Sequence, residues 1–166
     1  MTTNGRPKVI VIAGPTASGK TSLGVELALA LGGEIVNADS MQVYRGMDIG
    51  TAKPTSEEQK GIAHYLLDVV NPDEEYNAAL YRSMALPVIT DILSRRKMCF
   101  VVGGTGLYIK SLLSGLFHCP PADPELRRSL YRECDLLGTG KLHERLTHLD
   151  PESACKIHPN DRVRLI

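Results

Sequence analysis

The chain has 166 residues, 43% hydrophobic and 23% charged, with a formal net charge of zero, a composition typical of a globular protein with one α/β core. Its longest apolar runs, 9–13 and 100–102, are too short to span a bilayer, and residues 1–8 lack the apolar segment of a signal peptide, so we expect a cytoplasmic protein. The four cysteines are widely spaced without a C-x-x-C pair, which argues against a zinc site or disulfide framework.

The first predicted element is a strand over residues 8–13, followed by a complete G-x-x-x-x-G-K-[ST] phosphate-binding loop. Its glycines let the backbone form a concavity lined with N–H groups, its lysine adds positive charge, and its threonine is a candidate Mg²⁺ ligand. Strand, loop and helix follow in the required order, which disfavours a chance match in an ordinary turn. The predicted site for a di- or triphosphate consists of Gly14, Pro15, Thr16, Ala17, Ser18, Gly19, Lys20 and Thr21.

The helix that follows the loop ends at Gly32-Gly33, and its apolar spacing predicts a buried face of Leu23, Leu27, Ala30 and Leu31. A second short strand over 34–38 brings Asp39, Ser40, Met41 and Gln42 to its carboxyl end. In an open parallel sheet, ligands bind at that edge.

Residues 44–62 predict a long irregular connection with one short helix at 57–61, and such loops are usually functional or mobile. A strand over 64–69 contains Asp68, the candidate Mg²⁺ carboxylate if the protein is a kinase. The next helix has a predicted apolar stripe of Leu80, Met84, Val88, Ile92 and Leu93. A buried strand over 98–102 then leads into the turn Gly103-Gly104-Thr105-Gly106 and a helix over 107–113.

The second half of the chain predicts a small helical subdomain joined by a linker at 119–124. We assign residues 1–115 to the catalytic core, 116–160 to a helical insert, and 161–166 to the start of a return to the core. The basic side chains favour a polyanion partner, although mixed charges also simply solvate helix faces, so charge alone leaves both open. These basic residues are Arg127, Arg128, Arg132, Lys141, Arg145, Lys156, Arg162 and Arg164.

Three segments together, residues 14–21, 37–54 and 103–108, closely resemble the tRNA dimethylallyltransferases, also called tRNA isopentenyltransferases. The resemblance covers nearly the whole chain, and the long middle segment is highly specific to that family. It implies an α/β fold with a P-loop NTPase-like parallel sheet flanked by helices and a small helical insert. The implied reaction transfers a dimethylallyl group from its diphosphate to N6 of the adenosine on the 3′ side of the tRNA anticodon.

The resemblance also implies roles for individual residues. Asp39 matches the proposed general base, Lys20 and Thr105 are catalytic, and Thr21 holds Mg²⁺. Ser40, Met41 and Gln42 line the place of the target adenine, while Thr105 contacts tRNA beside the reacting centre. Arg127 lies in the insert that grips the anticodon stem-loop. Without the resemblance, the residues themselves favour Asp39 as a cap of the helix or turn after the second strand, and Thr105 as a residue of a tight glycine turn.

The partners implied are the tRNA anticodon stem-loop and dimethylallyl diphosphate, with Mg²⁺, no membrane and a monomeric protein. Family members are considerably longer and supply a further catalytic arginine, so we expect the 166-residue chain alone to be weakly active or inactive. Three alternatives remain: a small-molecule or nucleotide kinase, a relative that prenylates free AMP or ADP, and a catalytically silent RNA-binding module.

Overall fold

The computed structural model describes residues 8–116 and 123–166, and the chain divides into two compact units, residues 1–117 and 118–166. Residues 119–122 of the predicted linker lie outside the described residues, and the proposed division of the chain into core, insert and return stays a prediction. The first unit contains β1 (Ile10–Ala13), α1 (Lys20–Leu31), β2 (Gly33–Asn37), α2 (Ser56–Gln59), β3 (His64–Tyr65), α3 (Ala78–Ser94), β4 (Met98–Gly103) and α4 (Gly106–Ser114). The second unit contains α5 (Pro124–Leu137), α6 (Thr139–Leu149), α7 (Pro151–Lys156) and α8 (Arg162–Leu165).

The four strands of the first unit form one parallel sheet in the order β1-β4-β2-β3. Alternate residues of β2 and β4 face opposite layers, because side chains alternate along a strand. On one face, Val25 and Ala28 of α1 pack against Phe100 and Val102 of β4. On the other face, a larger cluster joins α3 and α4 to the sheet. The α/β prediction with a parallel sheet between helices is therefore confirmed.

The predicted apolar faces of the two long helices are right in part: Leu27 of α1 and Met84, Val88 and Leu93 of α3 pack against the core, but most of the fully buried positions are different residues. In α1, Leu23 and Leu31 are each 52% exposed, whereas Gly24, Val25 and Ala28 are buried. A Cβ atom at Gly24 would lie 2.9 Å from Val102 Cγ2, so the helix approaches the sheet more closely than a leucine allows. In α3 the buried residues are Ala78, Tyr81, Ala85, Ile89 and Ile92, and of the predicted stripe Ile92 alone is fully buried.

Strand β3 is shorter than the predicted 64–69, because Leu66 and Asp68 have positive φ angles of 62° and 55°. These left-handed residues end the ladder and turn the backbone away from the sheet. No described helix combines the length and apolarity needed to cross a membrane.

The second unit is a cluster of helices, and α5, α7 and α8 each begin after an aspartate cap. Asp123 accepts hydrogen bonds from the N–H groups of Glu125 and Leu126, and Pro124 takes the first helical position of α5. Helix α6 packs against α5, α7 and α8. The buried side chains Cys134, Leu142 and Ala154 form its small apolar centre.

Candidate active site

The loop between β1 and α1 has the backbone shape of an anion cradle. Ala17 and Gly19 take left-handed φ angles of 63° and 78°, which turn successive N–H groups toward one side. A Cβ atom at Gly14 would lie 2.9 Å from Ser18 Oγ, so a larger residue there would have to displace that hydroxyl. Lys20 Nζ donates a hydrogen bond to the carbonyl of Pro15 at 3.1 Å, which folds the side chain back over the loop. Its two other N–H bonds remain available to an anion.

Asp39 follows β2, where hydrogen bonds fix its orientation. The backbone N–H of Met41 donates to Asp39 Oδ1 at 2.9 Å, an Asx turn. The side-chain amide of Asn37 donates to the carbonyls of Asp39 and Leu66, at 3.3 and 3.1 Å. Asp39 therefore does cap a turn with one oxygen, and its second oxygen, Oδ2, is left for another partner.

The glycine turn after β4 joins the end of β2 through three close contacts. Thr105 N–H donates to the carbonyl of Ala38 at 3.0 Å, and Ser40 N–H donates to Thr105 Oγ1 at 2.8 Å. A Cβ atom at Gly103 would lie 2.2 Å from the carbonyl of Ala38, so the two strands approach too closely for any other residue. Thr105 thus occupies a glycine turn and also faces the segment of Asp39, and its hydroxyl hydrogen has no acceptor among the described residues.

Gly104 marks the point where the phosphate loop and Asp39 meet. A Cβ atom placed there would lie 3.9 Å from both Asp39 Oδ2 and Lys20 Cε, and 3.2 Å from the carbonyl oxygen of Gly14. A carboxylate oxygen, a lysine side chain and the phosphate loop therefore face one small space. The cavity beside it has a volume of about 420 Å³ and is lined by both Asp39 and residues of the loop.

A third side of this cavity comes from the irregular segment after β2, whose length predicts a functional or mobile loop but whose pattern marks no individual residue. Thr51, Ala52 and Pro54 line the cavity. Gln42, which the resemblance places beside adenine, is 7% exposed and donates its amide hydrogens to the carbonyls of Thr51 and Ala52 at 3.0 and 3.1 Å. Gln42 therefore lines the cavity, but both amide hydrogens of its side chain are already used in hydrogen bonds to this segment. Met41 is 46% exposed.

The kinase expectation for Asp68 is wrong in this structure. Asp68 Oδ1 lies 2.5 Å from the ammonium nitrogen of Lys53, and Asp68 does not line the cavity. Within residues 8–116 and 123–166, there is no group of three or more histidine, cysteine or acidic side chains placed to hold a metal.

In the second unit, ion pairs neutralise most of the predicted basic surface. Five of the eight basic residues named from the sequence have carboxylate partners. Arg127, Arg128 and Arg132 of α5 are exposed and form no ion pair with any described residue. Of the eight basic residues, the three on α5 therefore remain the candidates for binding a polyanion.

Comparison with known protein families gives one consistent result. The model of the family described as IPP transferase matches residues 42–166. A tRNA dimethylallyltransferase of Geobacter sulfurreducens is 53% identical over 161 residues, which cover 97% of this chain and 52% of that protein. The corresponding enzyme of Desulforudis audaxviator is 51% identical over 160 residues, covering 96% and 52%. This chain thus spans about half the length of the curated relatives it matches.

Solved structures agree with this result. The full-length tRNA isopentenylpyrophosphate transferase of Bacillus halodurans has a TM-score of 0.67 and 43% identity, covering 96% of this chain and 53% of that one. A eukaryotic dimethylallyltransferase captured in crystallographic snapshots acting on tRNA has a TM-score of 0.78 and 36% identity, covering 96% and 40%.

Proposed function

This chain belongs to the IPP transferase family, and we propose that the protein transfers a dimethylallyl group from dimethylallyl diphosphate to N6 of the adenosine 3′ to the tRNA anticodon. The observation that best supports this proposal is the meeting of Asp39 Oδ2, Lys20 and the phosphate loop around Gly104. The reaction needs a base for the amine and a cation for the leaving diphosphate, and this space offers both.

The phosphate loop binds the leaving group in this proposal. Cleavage of the allylic carbon–oxygen bond places negative charge on pyrophosphate, so the loop N–H groups and the Lys20 ammonium act where charge develops. Lys20 reaches that charge by exchanging its hydrogen bond to Pro15 for one to a phosphate oxygen. The resulting pyrophosphate leaves with the electron pair of the broken bond.

Asp39 accepts the proton of the attacking amine. The N6 lone pair is delocalised into the purine ring, so removal of a proton as the carbon–nitrogen bond forms assists attack. The Met41 N–H holds Oδ1, which directs Oδ2 toward the space beside Lys20. Thr105 and Ser40 hold the turn of Asp39 against the glycine turn, and Thr105 retains a donor for tRNA.

The residues present fit a bound Mg²⁺. Mg²⁺ is commonly held by one or two protein oxygens together with substrate phosphates and water, so a full cage of carboxylates is not required. Thr21, at the start of α1 and on the wall of the cavity, would hold the ion through its hydroxyl. Bound there, the ion would neutralise charge on the diphosphate.

The macromolecular acceptor is bound in two places. N6 is inaccessible in a stacked base, so the adenosine must leave the anticodon loop and enter the cavity, which Gln42 lines. Met41 lines a second pocket that shares Thr51 with this cavity, so it would contact the nucleotide on its way in. Arg127 and its neighbours on α5 bind backbone phosphates of the stem-loop, which position the RNA without reading its sequence. With tRNA as substrate, we place the protein in the cytoplasm, as a monomer.

The test is incubation of the full-length protein with dimethylallyl diphosphate and unmodified tRNA, followed by mass spectrometry of the nucleosides. We expect N6-isopentenyladenosine at the position 3′ to the anticodon. Transfer of a radiolabelled γ-phosphate from ATP to a small acceptor would instead establish the kinase. Competition between AMP and tRNA tests for the relative that prenylates free AMP or ADP, since prenylation of AMP in the presence of tRNA would contradict the proposed acceptor.

A further inference from the structure

Lys53 is a buried cation that the mechanism above does not use. Its side chain is 6% exposed, yet its ammonium has three acceptors, Asp48 Oδ1 at 2.6 Å, Asp68 Oδ1 at 2.5 Å and the carbonyl of Tyr44 at 2.8 Å. All three N–H bonds are therefore satisfied. Burial alone lowers the pKa of Lys53, but its bonds to Asp48 and Asp68 outweigh that effect and raise it, so the group stays charged.

These contacts hold together parts of the chain that are distant in sequence. Tyr44 and Asp48 lie within the irregular segment, while Asp68 follows β3 in a left-handed conformation. Asp68 N–H donates in turn to the carbonyl of Gln42, whose side chain holds Thr51 and Ala52. The ammonium thus fixes the segment to the end of the sheet.

The segment fixed in this way is the part of the cavity wall formed by Thr51, Ala52 and Pro54, called here the 51–54 wall. The hydroxyl of Thr51 lies 2.5 and 3.3 Å from the carbonyls of Met47 and Asp48, and the carbonyls at 51 and 52 accept from Gln42. Proline has no N–H group to offer. The wall therefore presents carbon more than polar groups, which suits an isoprenoid tail and not a diphosphate.

We propose that Lys53 is a positioning residue that holds the 51–54 wall in place and thereby limits the length of the prenyl chain the cavity accepts. This inference rests on the proposed function, because the tail it concerns is that of the prenyl donor. Among the described residues, the phosphate loop has no hydrogen bond or ion pair with Lys53. A change at Lys53 should therefore affect the 51–54 wall without affecting the binding of the diphosphate.

The experiment compares Lys53→Met with wild type in the full-length protein, using dimethylallyl and geranyl diphosphate as donors and inorganic pyrophosphate as a competitive inhibitor. We expect the KM for dimethylallyl diphosphate to rise about tenfold and its kcat/KM advantage over geranyl diphosphate to fall about tenfold. Inhibition by pyrophosphate should change less than about twofold, since pyrophosphate has no tail to contact the wall.

The matched control is Lys97→Met, which removes a lysine paired with Glu34 at the opposite end of β2 and should leave donor choice unchanged. If Lys53→Met does not fold, Asp68→Asn serves as the second test, because it removes one charge but keeps an oxygen acceptor for Lys53. It should lower the kcat/KM advantage of dimethylallyl over geranyl diphosphate about threefold. Unchanged donor choice, or pyrophosphate inhibition weakened as much as donor binding, would overturn the inference. Absence of any transfer by wild type would instead overturn the proposed function.

Discussion

Glu34 offers the most quantitative prediction for stability, because one buried carboxylate binds three partners. Its side chain is 6% exposed, and its two oxygens receive hydrogen bonds from Arg95 at 2.7 Å each, from Lys97 at 2.6 Å and from the Tyr65 hydroxyl at 2.9 Å. The Arg95 guanidinium is the largest cause that lowers the pKa of Glu34 from 4.5 to about 2. Burial opposes that shift, and Lys97 and Tyr65 add to it.

That difference in pKa corresponds to about 3 kcal/mol of stability at neutral pH. The side chains of Arg95 and Lys97 are 36% and 46% exposed, so solvent screens their interaction with Glu34. We therefore expect Glu34→Gln to lower the free energy of unfolding by about 1–2 kcal/mol. Because the folded pKa is depressed, this stability is present above about pH 4.5 and is lost as the pH falls toward 2. Glu34→Gln should therefore be less stable than wild type at pH 7, and its free energy of unfolding should change less between pH 4.5 and 2.

The assay is urea unfolding followed by near-UV circular dichroism, which reports the first unit because five of the six tyrosines lie in residues 1–117. Glu26→Gln is the control, since Glu26 and its partner Lys60 are both more than half exposed, and we expect no measurable change. Equal stability of Glu34→Gln and wild type at pH 7, or the same acid dependence between pH 4.5 and 2, would refute the reasoning.

Three further predictions concern the site and the RNA surface. Gly104→Ala should slow transfer at least about tenfold, since its methyl enters the space between Asp39 and Lys20 and lies 3.2 Å from the carbonyl oxygen of Gly14; unimpaired turnover would argue against a shared space. Lys20→Met should lower kcat/KM for the donor by about 10²–10³, and a normal value would exclude a role on the leaving group. Arg127→Ala should weaken tRNA binding and reduce its log–log salt slope by about 0.7–0.9, and an unchanged slope would remove Arg127 from the phosphate contacts.

The phosphate loop was predictable from sequence because its geometry is local. Glycines at fixed spacing, a lysine and a following helix specify the cradle within eight residues, and Ala17 and Gly19 take left-handed φ angles there. The parallel sheet was predictable for a similar reason, since short buried strands alternate with helices. Residue roles at the site came from the resemblance, and they stay predictions.

What sequence could not give depends on contacts between distant residues. The buried face of α1 is set by the approach of Gly24 to Val102, and no helical periodicity records that contact. Asp68 had the position expected of a metal ligand, but its partner is Lys53, 15 residues earlier in an irregular segment. Gly104 lies beside Lys20 only because β4 and β1 are neighbours in the sheet. Each of these features required the fold.

The most direct test of the account is the single-turnover transfer rate of Asp39→Asn in the full-length protein, measured together with its affinity for tRNA. Asparagine keeps an oxygen for the Met41 N–H, so the turn should persist while the base is lost. We predict a rate lower by about 10²–10⁴ with tRNA affinity nearly unchanged. Transfer at the wild-type rate would contradict the assignment of Asp39 as the group that takes the proton from N6.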